Sequence, residues 1–177
     1  MSKVRLATVW LDGCSGCHMS LLDMDERLIA LAEMADIVYS PLVDTKEFPE
    51  NVEVTLVEGA VSSTDDLEKI LTIRKNSRLV VSLGDCAVTG NIPSIRNLFP
   101  LDQLTQRIYF ENATQNKQVP AKIVPKLLPR VRPVHEVVKV DVFVPGCPPS
   151  ADTIFNVVME LVEGRAPEAA MATRFGV

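Results

Sequence analysis

The sequence has no excess of positive charge. Across 177 residues, 18 lysines and arginines face 23 aspartates and glutamates, giving a formal net charge of -5 and a sequence pI near 5.1. A surface that binds the phosphate backbone needs a basic face, so nucleic acid is not an expected partner. Long apolar runs are missing too: no stretch approaches the roughly 18 residues of a membrane-spanning helix. The amino terminus, Met1-Ser2-Lys3-Val4-Arg5, leads into a strand pattern rather than the apolar core of a signal peptide. The expected compartment is therefore the cytoplasm. Internal repeats and low-complexity tracts are absent, and an apolar content of 47% with a mean hydropathy of +0.16 excludes intrinsic disorder. The length fits one domain over 1–177, since domains usually run to about 100 to 200 residues.

What is present alternates between strand and helix patterns. Val4 to Leu11 is a compact apolar run closed by the turn signal Asp12-Gly13. Ser20 to Met34 carries apolar residues near a 3.6 period, with Asp23, Asp25 and Glu26 early, where they complement a helix dipole and form a solvated face. Strands are expected at 36–43 and 52–57. Ser62-Ser63-Thr64 then supplies N-cap candidates for a helix with Leu67, Ile70, Leu71 and Arg74 at helical spacing. Further strands at 78–83 and 140–144 end at Gly84-Asp85-Cys86 and Pro145-Gly146-Cys147-Pro148-Pro149. After the second, Ser150 caps a helix that buries Ile154, Val157, Val158 and Leu161 and stops at Gly164. Alternating elements with continuously apolar strands predict an α/β domain, an open, doubly wound parallel sheet of the flavodoxin-like kind. In such sheets ligands sit outside the carboxyl ends of the strands. The segment 99–138 differs. It contains Pro100, Pro120, Pro125, Pro129 and Pro133 and no clean period, so it reads as an irregular connection with short helical pieces.

The chain has only four cysteines, Cys14, Cys17, Cys86 and Cys147, and each follows a predicted strand. In a reducing cytoplasm such a set is more often metal-binding or catalytic than disulfide-bonded. Cys14-Ser15-Gly16-Cys17 brings two thiolates within reach of one centre, whereas Cys86 and Cys147 stand alone. A small zinc ribbon usually draws on two local pairs. One pair plus two distant single cysteines, assembled by a whole sheet, better suits a cubane iron-sulfur cluster. A four-cysteine zinc site and unligated core thiols remain the alternatives. Gly13, Gly16, Gly84, Gly90 and Gly146 would let the backbone approach a bulky inorganic core.

Three runs carry a family resemblance. Trp10-Leu11-Asp12-Gly13-Cys14-Ser15-Gly16-Cys17-His18-Met19-Ser20, Gly84-Asp85-Cys86-Ala87-Val88-Thr89-Gly90-Asn91 and Pro145-Gly146-Cys147-Pro148-Pro149 resemble the cluster-binding signatures of [NiFe]-hydrogenase small subunits. The likeness covers almost the whole chain and points to the short small subunit of soluble, bidirectional, NAD-reducing enzymes. It implies that the four cysteines hold one proximal [4Fe-4S] cluster. The nickel-iron centre would then lie in a partner [NiFe] large subunit, with iron-sulfur and flavin diaphorase subunits as further partners. None of these residues would itself break bonds. Many relatives carry a glutamate where this chain has Met19, so a proton route through that acid does not transfer. The related quinone-reductase subunit has adjacent cysteines in its first motif, while here Ser15-Gly16 separates them. A hydrogen-sensing subunit, another acceptor, or a complex I-like role are the competing readings. The fold also invites FMN, but no phosphate loop stands out: Ser62-Ser63-Thr64 could serve as one, yet they already have a role at the start of a helix.

Other residues invite simpler readings. His18 is expected as a hydrogen-bonding or interface side chain, His135 has no evident partner, and Trp10, Met19 and Met24 are expected as packing.

Overall fold

The computed structural model describes residues 3–168; the ends of the expected 1–177 domain lie outside the described residues. In chain order the strands are β1 (Val4–Trp10), β2 (Ala35–Tyr39), β3 (Val52–Glu58), β4 (Val61–Ser63), β5 (Ser77–Leu83), β6 (Leu127–Arg132) and β7 (Val142–Val144). The α-helices are α1 (Gly16–Leu22), α2 (Arg27–Met34), α3 (Thr64–Asn76), α4 (Asp85–Thr89), α5 (Leu101–Gln106) and α6 (Ala151–Val162). Five strands form one sheet in the order β2-β1-β3-β5-β7, and every pairing within it is parallel. Counting only those five, the order is the flavodoxin-like one, with the chain reversing direction of winding at β1 and β3.

The strands are apolar on both sides because both faces are covered. Leu6, Val54, Leu56, Val81 and Leu83 pack with Leu21, Met24, Leu31, Ile154, Val157 and Val158. On the other face, Val9, Val57 and Val80 pack with Ile70, Ile73, Ala87 and Val134. The register then sets up the site. Trp10 pairs with Glu58, Glu58 with Leu83, and Leu83 with Val144, so four strands end level in one row. The three cysteine-bearing loops leave from that row.

Several expectations change. The helix expected over 20–34 is two helices, because α1 begins at Gly16 and residues 23–26 turn the chain, with Asp25 at φ 50. The acidic residues there make that turn instead of lining a continuous helix face. In α3, Ile70 and Ile73 are buried but Leu71 is exposed. Strand β2 stops at Tyr39, short of Val43. The segment 99–138 holds α5, a π-helical turn at Arg107–Glu111 and a 3-10 turn at Val134–Glu136, and it also contributes β6. Strand β6 pairs antiparallel with β4 in a separate ribbon. A 3-10 helix, Ile92–Leu98, rests on this ribbon: Arg96 donates to the Ser62 and Leu128 carbonyls, and Asn97 exchanges two hydrogen bonds with Val131.

Candidate metal centre

The level strand ends explain how cysteines so far apart in sequence come to one rim. Cys14 and Cys17 follow β1, Cys86 follows β5 and Cys147 follows β7. Cys17 and Cys86 lie in the first turns of α1 and α4, so the loops are shorter than their glycines suggest. Cys17 is buried, Cys86 half-buried, and Cys14 and Cys147 exposed. Burial pushes the Cys17 thiol far up, and the Glu58 carboxylate and the other three sulfurs push it further. The Cys86 thiol is pushed up to about 11 by burial, then by Cys14 and Cys147. The Cys17 and Cys86 thiols therefore both feel the sulfurs of Cys14 and Cys147. Four thiolates in one place repel, and only a cationic centre among them lets all four lose their protons together.

Backbone shape supports the same convergence. Gly84 has φ +81, and a Cβ built there would overlap the Cys17 sulfur and stand 3.5 Å from the Gly146 carbonyl. A Cβ on Gly16 would meet the Cys14 sulfur at 3.3 Å and Pro148 at 4.0 Å. These two glycines make the cradle. Gly146 folds back against Pro149, Gly90 lies against Ser94 at the end of α4, and Gly13 faces Gly59 and Glu58, one step removed from the sulfurs.

Buried polar groups lash the three motifs together. Asp85 accepts from the Gly146 N–H at 2.8 Å, and its own N–H donates to the Gly146 carbonyl at 2.9 Å, joining the second and third motifs. Ser20 Oγ donates to the Pro149 carbonyl at 2.6 Å, joining the first to the third. Glu58 accepts from the His18 N–H at 3.1 Å and pairs with His18 Nδ1, which fixes the first motif on β3. His18 is 5% exposed and Glu58 2%, so this pair is screened from water. Trp10 stacks on the His18 ring at 5.8 Å; it is 40% exposed and forms a lid over the imidazole instead of core. Met24 packs as expected, but Met19 is exposed, and His135 meets Phe143 edge-on. Glu58 does not stand out in the sequence, and Asp85 and Ser20 sit inside motifs without a visible role. Only the fold gives them partners.

The suggested flavin loop is closed. Asp66 accepts from the Ser62 N–H at 3.1 Å, the Ser63 N–H at 2.9 Å and Ser63 Oγ at 2.8 Å, completing a capping box at the start of α3. A phosphate would have to displace that carboxylate, and no flavin is assigned to this chain. Among the described residues, no group of three or more His, Cys, Asp or Glu side chains closes round a single metal-ion position. No helix there is long and apolar enough to cross a membrane.

A cysteine-lined rim on a flavodoxin-like sheet belongs to a known class. Residues 14–161 match the family described as NADH ubiquinone oxidoreductase, 20 Kd subunit, and the chain belongs to it. It is 42% identical over 168 residues to the NAD-reducing hydrogenase HoxS subunit delta of Cupriavidus necator, covering 92% of this chain and 80% of that one. It is 41% identical to a subunit of the F420-non-reducing hydrogenase of Methanothermobacter marburgensis, covering 94% of this chain but 56% of the relative. The chain thus spans little more than half of such methanogen proteins. A chain in the crystal structure of an NAD+-reducing [NiFe]-hydrogenase in the H2-reduced state superposes with a TM-score of 0.89 at 38% identity, covering 94% of both chains. Within its family, then, this chain is a [NiFe]-hydrogenase small subunit.

Proposed function

We propose that this chain is the electron-transfer small subunit of a NAD-reducing [NiFe]-hydrogenase and that Cys14, Cys17, Cys86 and Cys147 together hold one [4Fe-4S] cluster. The observation that carries the reading is that three cysteine motifs leave one row of level strand ends, where burial and the neighbouring sulfurs push the Cys17 and Cys86 thiols up. A cluster bound there supplies one-electron exchange between the nickel-iron centre of a large subunit and the iron-sulfur and flavin subunits that reduce NAD. The donor set fits it. A single zinc ion needs all its thiolates about 2.3 Å from one point, whereas a cubane spreads four cysteines over four irons. Gly16 and Gly84 leave room beside the sulfurs, and Asp85, Ser20 and Glu58 hold the loops in place before any metal arrives.

The large subunit would cover the apolar ridge beside this rim. In a 3-10 helix, residues three apart eclipse one another. Ile92, Ile95 and Leu98 therefore form one line, all exposed, and Phe99 extends it. Arg96 and Asn97 turn inward to the ribbon, so the segment presents its apolar side outward from the rim. The cytoplasm suits both the thiolates and the supply of NAD. The reading is tested on the anaerobically purified complex: Cys86→Ala should abolish hydrogen-driven NAD reduction and lower the iron content. Wild-type activity and iron in that variant would remove Cys86 from the ligand set.

A further inference from the structure

A residue just after α4 donates to a sulfur of a different motif. The Asn91 side-chain amide reaches Cys147 Sγ at 3.4 Å, across 56 positions of sequence. That distance is within hydrogen-bond range for the larger sulfur atom, and among the described residues Asn91 is the side chain that donates to one of the four thiols.

The backbone at Asn91 is held in a costly shape to make this contact. Its φ is 30 and ψ is -127, outside the regions open to most non-glycine residues. Gly90, in the left-handed region at φ 87, delivers the chain into that corner. Ser94 then locks it, donating to the Asn91 carbonyl from its N–H at 3.1 Å and from its Oγ at 2.7 Å. Strained non-glycine positions persist where the surroundings over-determine them, and they concentrate at functional sites. Glycine would relieve this corner, yet the chain carries an amide donor there.

Resting on the proposed cluster reading, we infer that Asn91 is a positioning residue that tunes the reduction potential of the centre at Cys147. Its Nδ2–H donates to the ligand sulfur and so favours the electron-rich, reduced state. Donors to cluster sulfurs raise the potential because reduction adds negative charge to those sulfurs. No bond forms or breaks at Asn91, and the amide keeps its protons throughout. An acceptor at the same place would have the opposite effect.

The test is an EPR-monitored redox titration of the anaerobically purified complex, with iron counted first in every sample. Asn91→Gly removes the donor and relieves the backbone. Asn91→Asp keeps the size, tolerates the same backbone angles and replaces the donor by a carboxylate. Both variants should show a lower midpoint. At a fixed poise the ratio of oxidised to reduced cluster should rise about tenfold, a downward shift of about 59 mV for one electron. Asn91→Asp should fall at least as far as Asn91→Gly, and if the glycine variant sheds its iron the aspartate variant decides alone. A merely structural Asn91 would leave the potential in place and make Asn91→Gly the more stable protein. Wild-type midpoints in iron-loaded variants overturn the inference. A wild-type complex with no cluster on this chain overturns the reading beneath it instead.

Discussion

Two adjoining stretches of this chain handle their side chains in opposite ways. At the rim of the sheet, most buried polar groups find partners within the chain, Glu58 in His18, Asp85 in Gly146 and Ser20 in Pro149, although His18 Nε2 and Ser82 Oγ have none among the described residues. Immediately beyond, the 3-10 helix Ile92–Leu98 uses its polar residues to grip the ribbon and leaves Ile92, Ile95 and Leu98 facing out. The rim is largely closed by this chain's own groups, with His18 Nε2 left over, whereas the ridge has no cover from the described residues. Buried polar groups paired across distant segments of one chain hold those segments in register. Exposed apolar rows on a short helix are costly unless protein covers them. The pocket is thus specified by this subunit, and on the proposed reading its neighbourhood is completed by the large subunit.

Variants at the two places should fail differently. The largest effect is expected from Gly84→Ala, whose new Cβ would run into the Cys17 sulfur at a positive φ that costs a non-glycine residue about 1–3 kcal/mol. Most of the iron should be lost, as read by metal analysis of the purified complex, and retention of full iron would show that the cradle is looser than its geometry. Leu98→Asp should spare the iron and weaken the hold on the large subunit by about 2 kcal/mol, roughly 30-fold in affinity. Co-purification yields at graded salt and concentration would check this. An intact complex of wild-type affinity would place the interface elsewhere.

The smallest effect is expected far from both, at the opposite end of β7. Burial alone would raise the Asp141 carboxyl, but the Val80 N–H and the Arg74 guanidinium outweigh it and hold it below the usual carboxylate range. A carboxyl whose pKa is depressed by folding stabilises the protein above its unfolded value, near 3.8, and loses that contribution as pH falls through the lower folded value. Asp141→Asn should therefore cost about 1–2 kcal/mol at pH 7 and progressively less below pH 4, read as the gap in urea midpoint between variant and wild type. A gap independent of pH would mean that the carboxylate charge plays no part.

The fold was legible where one segment alone carried its own signal. The continuous apolar runs around Leu6, Val54 and Val80 mark strands covered on both faces, and Ile154, Val157, Val158 and Leu161 mark a helix face that is in fact buried. The three cysteine motifs mark the rim in the same local way. Other features depend on contacts that no single segment contains. The turn between α1 and α2 has no glycine or proline to announce it. Strand β6 carries Pro129, which argues against a strand, yet it lies in a two-stranded ribbon, where an edge tolerates proline. Glu58, Asp85 and Ser20 meet partners 40, 61 and 129 positions away, so their roles exist only once the sheet is assembled. Asn91 belongs with them: it sits inside a recognisable motif, but its side chain answers to a different one.

The most direct measurement is iron and acid-labile sulfide counted in this subunit of the anaerobically purified complex, for wild type and Cys147→Ser. The account predicts about four irons and four sulfides in the wild type and a clear loss in the variant. One zinc per chain, or an iron count indifferent to Cys147, would contradict it.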